Sequence, residues 1–279
     1  MGGQNVVPRA RSDRTGAPGV GSARTLVGVI GRAVMVQASE MALLASVAAR
    51  APLRLVGADL DPGRDPRSPA AEHTASRARP VLLVHGFCGT KSSWSLVATS
   101  LSAQGLAVDA ITYTPFGTSV ERLADRLVVE VNRILSQNGS DKVHLIGHSL
   151  GGVVIAQAIA DGRLDGLVDT VVTLGSPFGG SPWANLLPFG AVARALREGS
   201  PLLRRLASTP APDGVRWLAL TGTLDIIVPG VRSVPGHARV EAITVDGVGH
   251  LGMLLSRRVV KHIVEALPVG GPVAGELAG

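Results

Sequence analysis

The chain has 279 residues, enough for one large domain with extra segments or for two small ones, and 46% of them are hydrophobic, which supplies a sizeable core. Its net charge of +6 does not mark a nucleic-acid binder: residues 1–80 hold 11 arginines against 6 acids, the rest of the chain has 16 basic and 15 acidic of the total 27 and 21, and only 3% of residues are aromatic. A single cysteine, Cys88, excludes an intrachain disulfide and fits a reducing compartment, and no Cys or His cluster has zinc spacing, so neither a metal nor another cofactor is expected.

Residues 1–24 are polar, rich in Gly and Arg and without period, and read as disordered. Within residues 25–56 the uncharged stretches Thr25–Gly31, Ala33–Ser39 and Met41–Ala49 are separated by Arg32 and Glu40. These interruptions argue against a transmembrane helix, which needs about 20 predominantly apolar residues. The long Arg-containing leader also fits a cleaved signal peptide poorly. Val34, Met41, Leu44 and Ala48 fall near helical spacing, so an amphipathic helix is expected, packed on the main domain or, as a sharper role, lying on a membrane surface. Residues 61–80 are rich in Pro, Arg and Asp and read as a linker. The expected location is cytoplasmic or peripherally membrane-associated rather than secreted.

From residue 81 the chain alternates strand and helix, the pattern of a mostly parallel sheet flanked by helices. The spacing predicts a buried strand over 81–85, a helix over 92–104 ended by Gly105, and a strand over 106–111. A capping box, Thr118-x-x-Glu121, opens a helix over 119–137. A strand over 142–147 runs into a helix over 150–160, and further strands follow over 167–174, 215–221 and 239–245. A last helix over 251–267 stops at Pro268, and residues 269–279 form a loose Gly-rich tail. Residues 175–214 break the alternation with an apolar set that includes Trp183, Leu186, Leu187, Phe189, Leu202 and Leu206, and read as a cap inserted between two strands. The organisation expected is an N-terminal segment over 1–79, a catalytic domain over 80–268 and the tail.

The most informative segment is Gly147-His148-Ser149-Leu150-Gly151-Gly152, placed where a strand meets a helix. A Gly-flanked Ser in that position has the layout of a nucleophile elbow, a turn too tight for side chains beside the Ser. A Ser hydroxyl needs a base to take its proton and a third group to orient that base. In an open α/β sheet such groups collect past the C-terminal ends of the strands. Of seven histidines, His250 alone follows a strand through a short Gly-rich loop, Asp246-Gly247-Val248-Gly249. Asp225 follows the strand over 215–221 and is the leading acid, with an Asx turn as its blander role; Asp246 is the runner-up. The oxyanion donors expected are the backbone N–H groups of Leu150, at the helix start, and Phe87, in the loop His85-Gly86-Phe87-Cys88-Gly89. His85 and His148 read as structural, and Cys88 as a small packing residue.

In order along the chain, Val84-His85-Gly86-Phe87-x-Gly89, the elbow, Leu174-Gly175-Ser176-Pro177, Leu224-Asp225-x-x-Val228-Pro229 and Gly249-His250 resemble the bacterial lipase/esterase branch of the α/β-hydrolase superfamily over roughly residues 80–267. The resemblance implies the α/β-hydrolase fold, a Ser149, Asp225 and His250 triad, and oxyanion donors at Phe87 and Leu150. It leaves residues 1–79 without a counterpart. The function expected is a serine carboxylester hydrolase, a lipase or medium-chain esterase acting on a small acyl ester. A thioesterase, an acyltransferase or a non-catalytic binding protein are the alternatives.

Overall fold

The computed structural model describes residues 10–13, 78–87, 89–185, 190–237 and 239–268. The amphipathic helix expected over 25–56, most of the linker, Cys88, the cap residues Leu186, Leu187 and Phe189, and the tail lie outside the described residues.

Among the described residues seven strands form one sheet, parallel throughout: β1 (Ala10–Asp13), β2 (Val81–Val84), β3 (Val108–Ile111), β4 (Val143–His148), β5 (Val168–Leu174), β6 (Arg216–Gly222) and β7 (Val240–Val245), in the spatial order β1-β7-β6-β5-β4-β2-β3. Ala10–Asp13 pairs with β7 at the sheet edge, inside a segment that shows no period in the sequence; four residues are too few to reveal one.

Among the described residues six α-helices accompany the sheet: α1 (Ser95–Ser102), α2 (Val120–Asn138), α3 (Leu150–Ala160), α4 (Ala191–Ala195), α5 (Pro201–Ser208) and α6 (Arg257–Ala266). All four residues of β2 are buried because both faces of the sheet are covered. The strand period of two sorts them. Leu82 and Val84 join Leu145 and Val171 in a core closed by α2, α3 and α5. Val81 and Leu83 join Ile146, Val172 and Leu220 in a second core closed by Trp94, α1 and α6.

The helix ends follow local chemistry. In α2, Val120, Leu123, Leu127, Val131 and Ile134 form one buried stripe, and Gly139 closes the helix at φ 59. Its N-cap is Ser119, whose hydroxyl accepts the Arg122 N–H at 3.4 Å, and not Thr118 as the capping-box reading has it. The helix expected over 92–104 divides into a 3-10 turn (Lys91–Trp94) and α1. There the Ser95 hydroxyl donates to the Ser92 carbonyl at 2.6 Å, a local bond that competes with the helical ladder. The helix expected over 251–267 likewise divides into a 3-10 turn (Leu251–Leu254) and α6, because Ser256 caps a fresh start by accepting the Val259 N–H. The cap over 175–214 contains a 3-10 turn (Pro182–Asn185), α4 and α5, with Leu202, Leu203 and Leu206 turned inward.

The chain runs outward from β2 to β3, then crosses back and builds β4 to β7 in the other direction. The reversal falls between β2 and β4. Past the carboxyl ends of strands at such a switch point lies the crevice where open α/β sheets bind ligands.

Candidate active site

Ser149 stands between β4 and α3 at φ 52 and ψ −121, and it is the one non-glycine residue with positive φ among the described residues. An L-residue in that region costs of order 1–3 kcal/mol and persists only where its surroundings hold it. The surroundings here are three glycines. A Cβ on Gly147 would lie 2.6 Å from the Gly152 nitrogen, one on Gly151 2.0 Å from the Val84 carbonyl oxygen, and one on Gly152 2.0 Å from Ser176 Oγ. The need is steric: the elbow is pressed into β2 and into the loop after β5.

The loop after β2 closes over Ser149. A Cβ on Gly86 would meet Ser149 Cβ at 2.9 Å, so the main chain leading to Phe87 passes directly against the serine. His85 pins this loop. Its Nδ1–H donates to the Gly86 carbonyl at 2.8 Å, its Nε2 accepts the Tyr113 N–H at 3.3 Å, and its ring stacks on Tyr113 with centroids 4.1 Å apart. One nitrogen faces an acceptor and the other a donor, which fixes a neutral tautomer. The Tyr113 hydroxyl also donates to the His85 carbonyl. Leu150 is the first residue of α3, where an N–H has no intrahelical partner.

His250 follows β7 and is 3% exposed. Its Nδ1 lies 2.8 Å from Asp225 Oδ2, in the loop after β6. The other Asp225 oxygen accepts the N–H groups of Ile227 at 2.9 Å and Val228 at 2.8 Å. The Asx turn and the contact with histidine thus coexist in one carboxylate. Asp246, the runner-up acid, is exposed and accepts the Thr223 hydroxyl at 3.0 Å, which laces the two loops together. Leu224 N–H donates to the Val248 carbonyl at 3.0 Å and strengthens the same seam.

Two residues at the site escape the sequence reading of function. Gly175, at φ 52, has no side chain, and a Cβ there would lie 2.8 Å from Asp225 Oδ2 and 3.1 Å from His250 Nδ1. The Gly-Ser-Pro string after β5 is its signal. His148, read as structural, has its ring 4.7 Å from that of His250. Burial pushes its pKa down to about 3, and the charge of a protonated His250 acts in the same direction. The other described histidines stand apart: His144 is buried beside Asp169, His237 packs on Trp217, and His262 lies on α6 beside Glu265. Among the described residues no group of three or more His, Cys, Asp or Glu side chains is placed to hold a metal ion, and no helix is long and apolar enough to cross a membrane.

The model of the alpha/beta hydrolase family matches residues 81–224. The chain belongs to the alpha/beta hydrolase family. It is 31% identical over 158 residues to a triacylglycerol lipase of Burkholderia plantarii, covering 53% of this chain and 44% of the relative. It is 33% identical over 129 residues to a triacylglycerol lipase of Vibrio cholerae, covering 43% and 40%. The chain thus spans less than half the length of these curated relatives. Among solved structures, the mature lipase BlEst2 of Bacillus licheniformis superposes with a TM-score of 0.57 at 18% identity, covering 67% of this chain and 92% of that one, which speaks to the fold.

Proposed function

We propose that the protein is a serine carboxylester hydrolase of the lipase or medium-chain esterase kind. The observation that carries this reading is the 2.8 Å contact between Asp225 Oδ2 and His250 Nδ1 on the strand-end edge that bears the elbow of Ser149. In this reading Asp225 keeps the His250 proton on Nδ1, so that Nε2 is free to act as base. Ser149 Oγ attacks the ester carbonyl and His250 takes its proton. The developing oxyanion is held by the N–H groups of Leu150 and Phe87, each worth about 10²–10³-fold in rate. His250 then passes the proton to the leaving alcohol. Water, activated by the same histidine, clears the acyl-enzyme.

A lipid ester is the substrate class we favour, supported by the names of the curated relatives and by the distribution of exposed apolar side chains. Of the four large exposed hydrophobics among the described residues, Ile226, Val231 and Leu255 sit within six residues of Asp225 or His250 and only Val129 lies elsewhere. All three belong to the segments after β6 and β7, which also carry Asp225 and His250.

The test is labelling with a fluorophosphonate together with a p-nitrophenyl ester series and matched acyl-thioesters. Labelling at Ser149 and a rate that rises from acetate to octanoate are expected, with Ser149→Ala inactive but folded. No labelling would sink the hydrolase reading. A sharp acetate preference would sink the lipid substrate, and faster thioester turnover would make the protein a thioesterase.

A further inference from the structure

The buried histidine next to the nucleophile has no part in the proton transfers described above, yet it touches the base. His148 ends β4 and is 3% exposed. Its Nε2 lies 3.0 Å from the main-chain oxygen of His250. A carbonyl only accepts, so Nε2 carries a proton and donates it. A Cβ on Gly86 would stand 3.0 Å from its Nδ1, so the glycine leaves the ring just enough room. The Trp94 indole meets the ring edge-on, with centroids 6.5 Å apart, and the His250 ring lies 4.7 Å away at a tilt of 48°.

We propose that His148 is a positioning residue for His250: through its Nε2–H to the His250 carbonyl it ties the loop that carries the base to the strand that carries the nucleophile. The inference rests on the Ser149, Asp225 and His250 reading. Ser149 is covalently bonded to His148, so one side chain sets the separation of nucleophile and base from the nucleophile's side, while Asp225 orients the imidazole from the other. Besides the bracket, the loop Gly247–Gly249 that precedes His250 is held by the Gly247 N–H to the Thr223 hydroxyl, the Leu224 N–H to the Val248 carbonyl and the Met253 N–H to the Gly249 carbonyl, none of which reaches the strand that carries Ser149. The low pKa of His148 also suits the role: it stays neutral when His250 becomes charged, and places no second cation beside the imidazolium.

Three variants separate a hydrogen-bonding bracket from a mere space filler. Gln places an N–H near the position of histidine Nε2, Asn places one near Nδ1, and Phe keeps a ring without a donor. Activity is measured as kcat and KM per active site titrated with a fluorophosphonate, so that misfolded protein does not count. His148→Phe and His148→Asn are expected to lower kcat by about 10²-fold with little change in KM, the size of effect that a displacement of about 1 Å produces. His148→Gln is expected to stay within a few-fold of the parent. Equal kcat in all three variants, or equal losses in Gln and Asn, would overturn the proposal. Should the Phe protein fail to fold, the Gln and Asn pair reads the same contrast. A parent protein that neither labels nor hydrolyses esters would overturn the hydrolase reading itself and this role with it, whereas an active parent with indifferent variants overturns only the role of His148.

Discussion

Asp225 divides its carboxylate between His250 and its own loop: Oδ2 lies 2.8 Å from His250 Nδ1, while Oδ1 accepts two N–H groups, from Ile227 and Val228. An amide in its place must keep its carbonyl toward the loop and turn its NH2 to His250. Nδ1 then becomes an acceptor and the proton moves to Nε2, where the ring no longer serves as base. Asp225→Asn is therefore expected to cut kcat by about 10⁴-fold with little change in melting temperature. Asp246→Asn, at an exposed carboxylate bonded to Thr223, is expected to stay within a few-fold. Steady-state kinetics on the two variants checks this, and a larger loss at Asp246 would reverse the assignment of the acid.

The backbone of Ser149 sits in a region that glycine occupies freely and alanine does not. Ser149→Ala and Ser149→Gly should both lose activity, yet differ in stability. Glycine relieves strain of order 1–3 kcal/mol but loses about 0.4–1 kcal/mol through the greater freedom of its unfolded chain. Urea denaturation is expected to place the glycine variant about 1 kcal/mol above the alanine variant. The opposite order would mean that the elbow stores no strain.

The elbow glycines should be far less tolerant than a glycine that only needs its φ. Gly151→Ala drives a methyl to 2.0 Å from the Val84 carbonyl oxygen, backbone against backbone, and neither can give. A loss of about 3 kcal/mol or more is expected, at the upper end of the range for overpacking. Gly139→Ala meets nothing within 4 Å at φ +59 and should cost about 1 kcal/mol. Unfolding midpoints of the two variants check the ratio.

Acid should unfold this protein earlier than its carboxylates alone would require. Burial lowers the pKa of His144 from 6.5 to about 4, outweighing the attraction of Asp169, and that of His148 from 6.5 to about 3. His237 shifts in the same direction, also through burial. Between about pH 6.5 and 4 the unfolded chain binds protons that the folded chain refuses. The stability these groups provide is therefore complete above about pH 6.5 and is lost as the pH falls, at up to about 1.4 kcal/mol per pH unit for each histidine. Urea midpoints at pH 7.5 and 5.0 should fall steeply, and His144→Gln should flatten the slope. A midpoint indifferent to pH would show that these histidines are charged in the fold.

The sequence by itself determined the period of the strands, the place of the elbow and the candidates for its partners. Those are local signals: alternation of apolar residues, glycines around a serine, and a histidine and an aspartate just past strand ends. It also reached the bounds of α3 in full, because a helix that starts at a sharp turn has an unambiguous first residue. Where serines compete for backbone groups it did not, and the elements around Ser95 and Ser256 divided. Only the tertiary structure shows which carboxylate meets His250: both Asp225 and Asp246 follow strands, and the folded loops turn Asp225 toward the imidazole and Asp246 toward Thr223. It alone revealed the close approach of Gly175 to that pair and the bracket from His148 to the His250 main chain. Those contacts join residues 50 to 102 positions apart in the chain, and no local pattern encodes which distant carbonyl a buried imidazole will find.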